Sequence, residues 1–322
     1  MKAIAQDRYG TADVLELRDV REPVPGEGEV LVRVRAAGAG PDVSHLMTGK
    51  PYLARPMIGF GGPKEKVRGW DAAGTVEAVG ENVAGFEVGD EVLGEAPGSF
   101  AELAIAETER LARKPSRLSF EQAAAVPVSG VTALQALRKA NVQPEQTVLV
   151  IGAGGGVGTN LVQIAKAIGA RVTGVASTGK LELVRGLGAD DVIDYTREDF
   201  TDGSRRWDVI VDTAGRRPLR HLRRALTPKG TLVIVGGDGG GNWTGGFFRG
   251  MLRGPLVSLF VGQRLGMINS KLNRADLQAV VGLIEAGSLT PVVDRTFDLV
   301  EAADAIRYLE QGHPRGKVVI TV

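Results

Sequence analysis

The chain contains no cysteine in its 322 residues. Disulfide staples, cysteine nucleophiles, iron–sulfur clusters and thiolate zinc sites are excluded together. Histidine is almost as scarce. His45, His221 and His313 are scattered, and no two stand at the i, i+4 spacing of a helical metal site. Net charge is lacking as well: lysine plus arginine is 39 against 38 for aspartate plus glutamate, a formal +1. That balance argues against a polyanion binder, whose affinity would come from clustered basic charge, and no nucleic-acid partner is expected. Long apolar runs are missing too; residues 255–262 are about the longest in the C-terminal half, short of the ~18 that a membrane span needs. Met1-Lys2-Ala3-Ile4-Ala5-Gln6-Asp7-Arg8 becomes charged before a signal-peptide apolar stretch can form. The expectation is no stable membrane insertion and a cytoplasmic location.

What is present is glycine, 45 residues, much of it clustered, which reads as tight turns and close backbone approaches. At this length folding buries roughly three-quarters of the unfolded surface, so neither metal nor disulfide staples are required, and two domains fit better than one. The first ~120 residues read as short strands: residues 29–35 carry valine at every second position, and 74–80, 90–94 and 99–105 repeat the pattern between glycine-marked turns. Near Ser119 the character changes. A capping serine opens a helix, residues 131–140 form another, and strand and helix then alternate through strands at 147–151, 171–176, 191–193, 207–212 and 231–235, with helices at 157–168, 180–187 and 218–226. That alternation predicts a parallel sheet covered by helices on both faces. Residues 263–322 are too few for a third domain and are expected to return to the first, with helices at 273–286 and within 298–311 and a last strand at 317–322. The expected division is therefore 1–122 with 263–322 against 123–262.

Directly after the 147–151 strand comes Gly152-Ala153-Gly154-Gly155-Gly156-Val157-Gly158. A glycine turn between strand and helix lets backbone N–H groups and the helix N-terminus meet a pyrophosphate. Ala153 stands in the first slot of the usual G-x-G-x-x-G, with Gly155 and Gly158 in the others. An NAD site would place an acid at the end of the next strand, on the ribose 2′-hydroxyl. Here Ala176-Ser177-Thr178-Gly179-Lys180 offers hydroxyls and an ammonium, which suit a 2′-phosphate, so NADPH is expected. Ser177 and Thr178 have a second reading as caps of the following helix.

The domain order, together with Met1-Lys2-Ala3-Ile4, Gly69-Trp70-Asp71-Ala72-Ala73-Gly74-Thr75-Val76, Ala124-Ala125-Val126-Pro127, Gly130-Val131-Thr132-Ala133-Leu134 and Gly316-Lys317-Val318-Val319-Ile320, resembles the medium-chain dehydrogenase/reductase superfamily. Its zinc-free quinone oxidoreductase and reticulon-4-interacting-protein-like branch is the most similar. The resemblance covers essentially the whole chain. It implies an α/β fold with a GroES-like β-barrel-type catalytic domain and a Rossmann doubly wound nucleotide-binding domain, commonly as a homodimer, for which residues 255–261 offer an apolar edge strand. Zinc-dependent relatives carry a cysteine and a His-Glu pair where this chain has Gly40, Trp70 and Asp71, and their four-cysteine lobe is absent; no zinc is expected.

The implied chemistry is hydride transfer from NADPH to an already activated small-molecule acceptor, a quinone or α,β-unsaturated carbonyl, whose conjugation spreads developing charge onto oxygen. The rivals are a dedicated biosynthetic enoyl reductase and an NADPH-binding regulatory or structural protein with vestigial catalysis. Gly38–His45 is the candidate catalytic loop. Relatives there usually carry Asn at the position of Gly40 and Asp at that of Val43, departures that keep the non-catalytic rival open. His45 would donate to substrate oxygen or hold the nicotinamide ribose, or else bond its own backbone; Asp42 and Ser44 are further candidates, or parts of a turn. The resemblance places Thr132 on the nicotinamide ribose or phosphate, Lys180 and Tyr195 on the 2′-phosphate, Gly236 at the sheet's ligand-binding edge and Lys317 within reach of the cofactor. Thr132, Lys180, Tyr195 and Lys317 each have a plain alternative, as a back-bonding threonine, a solvated lysine, a packed tyrosine and a surface lysine. Residues 50–68 and 236–254 read as lid-like loops. Arg216, Arg217, Arg220, Arg223 and Arg224 read as a solvated helix face.

Overall fold

The computed structural model describes residues 1–236, 254–258, 260–312 and 314–322. Most of the expected 236–254 loop, with its Trp243, Phe247 and Phe248, lies outside them, as do Leu259 and His313. In chain order the strands are β1 (Lys2–Ala5), β2 (Glu16–Asp19), β3 (Glu29–Ala39), β4 (Asp71–Val79), β5 (Glu91–Glu95), β6 (Leu103–Glu107), β7 (Leu111–Arg113), β8 (Thr147–Ile151), β9 (Arg171–Ala176), β10 (Asp191–Asp194), β11 (Trp207–Asp212), β12 (Leu226–Ile234), β13 (Arg264–Met267), β14 (Val293–Asp298) and β15 (Lys317–Thr321).

Two compact units form: 1–131 with 272–287 and 291–322, and 132–271 with 288–290. The boundary falls inside the Pro127–Ala140 helix and at 271/272, some nine residues beyond each expected edge. The fold is a GroES-like domain with a Rossmann-type parallel-sheet domain.

In the first unit seven strands join in the order β14-β15-β3-β4-β5-β7, with β6 also on β3; β1 and β2 pair separately. Long β3 is the spine. Its first half pairs with β6 and its second half with β15, so Ala36–Ala39 meets the last strand of the chain. Val30, Val32, Val34, Phe100, Met47, Ile306, Val318 and Ile320 are among the buried side chains of this unit's core. The valines of β3 lie in this core, and its second half, Ala36–Ala39, is buried throughout, since small residues there pass between β4 and β15.

In the second unit all strands are parallel, in the order β10-β9-β8-β11-β12-β13. That is a doubly wound order with its reversal at β8, the place where such sheets bind ligands. Two expectations are corrected. The strand expected from Thr231 begins at Leu226: Trp207 pairs with Leu226 and Val209 with Thr231, so Pro228–Gly230 bulge out, where proline is tolerated. The 255–261 apolar segment is no edge strand. Residues 254–258 are helical, and the outer strand is β13.

Candidate active site

One candidate region, in the first unit, is built on the ends of β3, β4 and β15. What reads as a loop from Gly38 is the end of β3 followed by a helix, Pro41–Thr48. Gly40 caps it in extended geometry, Pro41 occupies the first turn where its missing N–H costs nothing, and Gly49 ends it at φ 63°. Val43 and Met47, four apart, are buried on one face, while His45 is exposed and Ser44 half-exposed. The Ser44 carbonyl accepts the Thr48 hydroxyl at 2.8 Å.

Asp42 points the other way, into a charged cluster. Lys317 Nζ lies 2.7 Å from Asp71 Oδ2 and 3.4 Å from Ser129 Oγ, with both pair members almost fully buried. Asp71 Oδ1 also accepts the Val128 N–H at 2.9 Å. Lys317 is therefore no surface lysine. Gly40 makes room for the cluster: a Cβ there would stand 2.3 Å from Asp42 Oδ1 and 3.3 Å from Lys317 Nζ.

Burial pushes the Asp42 pKa up; nearby Asp71 adds to this, while the Lys317 ammonium and, more weakly, His45 oppose it. For Lys317 burial works downward, but Asp71 and Asp42 outweigh it and the pKa is raised. The cluster thus pairs a persistent ammonium with a carboxyl that holds its proton above the ordinary range.

A separate candidate region, in the second unit, is the turn after β8. Gly152 sits at φ 80°, and a Cβ there would meet Thr213 Oγ1 at 2.3 Å. A Cβ on Gly158 would fall 2.1 Å from the Gly152 carbonyl oxygen. Gly155 caps the Gly156–Ile168 helix with no side-chain bond, so no side chain of its own occupies that N-terminus. Ala153 is buried, Val157 half-buried. The Lys180 stem crosses the turn, its Cδ 2.8 Å from where a Gly154 Cβ would be.

Beyond β9 the Thr178 hydroxyl donates to Asp194 Oδ2, while Asp194 Oδ1 accepts the Thr196 N–H at 3.0 Å and its hydroxyl at 2.6 Å. Thr178 is therefore engaged rather than free, and Ser177 makes no cap bond to the short turn that follows. Hydrogen bonds from both threonines hold the Asp194 carboxyl below its ordinary range. Tyr195 follows β10 and is exposed. Thr132 does not bond back to a carbonyl; its hydroxyl donates to Ser270 Oγ at 3.0 Å. Gly236 closes against β11, where a Cβ would meet the Thr213 carbonyl at 2.3 Å.

Sequence reasoning missed Asp212, at the carboxyl end of β11 beside Ile151 of β8. It is buried, accepts the N–H groups of Ala214 and Gly215 through Oδ1, and has no partner for Oδ2. Burial raises its pKa against those two bonds. The available signal was an acid ending an otherwise apolar strand, Val209-Ile210-Val211-Asp212.

Comparison with known proteins adds the family. Residues 26–116 match the alcohol dehydrogenase GroES-like domain and 187–320 the zinc-binding dehydrogenase family. An NADPH-dependent alkenal/one oxidoreductase of Arabidopsis thaliana chloroplasts is 35% identical over 99% of this chain and 79% of its own. The mouse mitochondrial NAD(P)H oxidoreductase RTN4IP1 is 31% identical over 100% of this chain and 89% of its own. The chain belongs to the medium-chain dehydrogenase/reductase superfamily. The solved quinone oxidoreductase of Coxiella burnetii superimposes at a TM-score of 0.88 with 31% identity, covering 100% and 99% of the two chains.

As a medium-chain reductase it is an oxidoreductase linked to NADP(H), and the glycine turn fits that group: glycine at Gly152 and Gly158 lets the turn pack closely on Thr213 and on its own backbone, and the helix from Gly156 begins without a side-chain cap. Zinc does not fit. Gly40 and Trp70 offer no ligand atom, and Asp71 is committed to Lys317 and Val128. Among the described residues no group of three or more His, Cys, Asp or Glu could hold a metal ion. Among them, too, no helix is long and apolar enough to cross a membrane.

Proposed function

We propose that this chain reduces quinones or α,β-unsaturated carbonyls with NADPH, without a metal. The observation that carries the reading is the Asp42–Asp71–Lys317 cluster, which fills the space beside Gly40 where zinc-dependent relatives place a ligand. The reduced nicotinamide, when bound, supplies hydride. The chain's own residues then have two tasks. Gly152–Gly158 and Lys180 hold the dinucleotide, and a proton held on Asp42, beside the Lys317 ammonium, is available to the acceptor's oxygen or α-carbon. His45 and Ser44, on the same helix, remain candidates for orienting the acceptor.

NADPH is favoured over NADH because β9 ends at Ala176 and is followed by Ser177, with no acid at either. The nearby Asp194 carboxylate spends both oxygens on threonines, and Lys180 supplies a cation. Tyr195 belongs to the same subsite in this reading, and Gly236 and Thr132 to the nicotinamide side. A homodimer through β13, the outer strand among the described residues, completes the reading, with Leu256 and Phe260 exposed shortly before it in sequence; a monomeric mass by light scattering would remove that part.

The test is NADPH oxidation against a panel of quinones, enones and enals with EDTA present. Turnover undiminished by EDTA supports the reading. Tight NADPH binding without turnover of any acceptor overturns it in favour of a regulator, and tighter binding of NADH than NADPH overturns the cofactor assignment.

A further inference from the structure

A concave site of about 420 Å³ lies wholly within the second unit. Four arginines line it, Arg206, Arg220, Arg223 and Arg224, and among the described residues no aspartate or glutamate does. The structure thus divides the arginines that read as one solvated face. Arg217 pairs with Asp199 at 3.5 Å, whereas Arg220, Arg223 and Arg224 share a pocket.

The fold assembles that pocket from separate segments. Arg223 and Arg224 follow Arg220 by three and four residues on the Leu219–Arg224 helix, the spacings that make side chains neighbours. The Trp207 N–H donates to the Ala225 carbonyl at 2.9 Å, which brings the start of β11, and Arg206 before it, to the end of that helix. Gln263 closes another wall. Its amide donates to the carbonyls of Arg223 and Thr227 at 2.9 and 3.2 Å, and its Oε1 accepts Arg223 Nε at 3.1 Å. Arg223 is therefore half-buried and held through Nε, which leaves its Nη groups for a ligand.

Arg206, Arg220 and Arg224 are exposed and, among the described residues, have no ion-pair partner. Acids close by in the chain are engaged elsewhere. Asp202 accepts the N–H and hydroxyl of Ser204, and Asp208 those of Thr147. Four like charges around one hollow repel each other, and a multiply charged anion relieves that repulsion. A single carboxylate or sulfate cannot pair with four guanidinium groups; two linked phosphates, each taking parallel N–H bonds, can. Leu226, Pro228 and Val261 supply an apolar side, and the volume falls in the range of small-molecule sites.

Place in the sheet separates this pocket from the cofactor turn. The pocket lies at the amino ends of β11 and β12. The glycine turn follows the carboxyl end of β8, where Ile151 is level with Asp212 at the other end of β11. The length of β11, Trp207–Asp212, puts roughly 17 Å between the two ends. We infer that the pocket binds a small organic diphosphate at a site distinct from that of the dinucleotide. The inference stands whether or not the reductase reading holds.

Calorimetry on the full chain saturated with NADPH tests it, with dimethylallyl diphosphate, inorganic pyrophosphate and sulfate as probes. The organic diphosphate should bind most tightly, and pyrophosphate at least about tenfold more tightly than sulfate. Arg220→Gln with Arg224→Gln should weaken diphosphate binding by about tenfold or more. Lys229→Gln with Arg264→Gln removes the same charge from exposed positions outside the pocket. That control should weaken binding by less than about threefold, since exposed charges away from the ligand are screened. Bound diphosphate should also raise the melting temperature of the unaltered protein, and not that of the Arg220/Arg224 variant.

Equal binding of pyrophosphate and sulfate by the unaltered protein overturns the inference, and needs no variant to fold. Equal losses in the two double variants overturn it as well, because a diffuse positive field would then account for the binding. Pyrophosphate binding more tightly than dimethylallyl diphosphate overturns the organic ligand class. Diphosphate that binds only in the absence of NADPH would belong to the cofactor turn and remove the second site. A short single-stranded RNA bound tightly, with no measurable pyrophosphate binding, would replace the pocket by a polyanion surface.

Discussion

At the residue scale the Asp71–Lys317 pair is the feature that decides most and that sequence reading could least see. The partners are 246 positions apart, and neither periodicity nor spacing links a residue after one strand turn to the start of the last strand. Removing one partner of so buried a pair leaves the other uncompensated. Lys317→Met is expected to lower stability by about 3–5 kcal/mol, and the double variant with Asp71→Asn to recover much of it, because the pair's net worth is smaller than the penalty of an orphan charge. Urea denaturation of the four proteins measures this; additive losses would contradict it. Asp42, beside the pair, gives a pH signature. Its folded pKa is raised above the ordinary 3.8, so the native state keeps a proton that the unfolded chain has already released. Stability from this group is present below 3.8 and is lost as pH rises through the folded value. Asp42→Asn should flatten that decline in a pH series of melts, and, under the reductase reading, remove a fall in kcat over the same window. A pH profile of melting unchanged by the substitution would show that the carboxyl is not held protonated.

Elements were legible where one rule dominated. The Thr147–Ile151 and Arg171–Ala176 strands and the glycine turn between them follow from apolar runs and a G-x-x-G pattern, and the structure has them at those residues. The Pro41–Thr48 helix was not legible, because Gly-Pro-Asp is also a turn signal. Only the i, i+4 burial of Val43 and Met47, a tertiary fact, decides for the helix. Thr178 shows the same limit: its hydroxyl reads as a phosphate ligand or a cap until Asp194 arrives from another strand. The turn itself yields a prediction with an internal control. Gly158→Ala places a methyl 2.1 Å from the Gly152 carbonyl and 2.8 Å from the Ala153 backbone. It should widen the turn, lower stability by about 1–3 kcal/mol and weaken NADPH binding tenfold or more. Gly186→Ala, in the Leu181–Gly186 helix with nothing within 4 Å, should instead gain up to about 1 kcal/mol and leave affinity unchanged. Fluorescence titration with NADPH and thermal melts of both variants separate the two; equal affinity in both would mean that the turn tolerates a side chain and is not the cradle.

For the whole molecule, the question is why the chain returns to its first domain at all. The count of residues past 263 predicted the return, but only the register gives its cause. β15 pairs antiparallel with the end of β3 and parallel with β14, so among the described residues it is the strand that joins β14 to the rest of the sheet. Val318, Val319 and Ile320 are fully buried in it, and Lys317 at its start neutralises Asp71. Burial of three such side chains contributes roughly 5–9 kcal/mol, comparable with the whole stability of an ordinary domain. A protein ending at Gly316 should therefore lose the first unit's cooperative transition, whereas one ending at Ile320, lacking Thr321 and Val322 alone, should keep it, since both are only partly buried. Limited proteolysis reads the difference directly. Protection of 1–131 in the shorter protein would mean that β3 and β4 hold the unit without the returning strand; cleavage throughout that segment, with 132–271 still protected, would make the last five strand residues the element that closes the first unit and delivers the ammonium to its site.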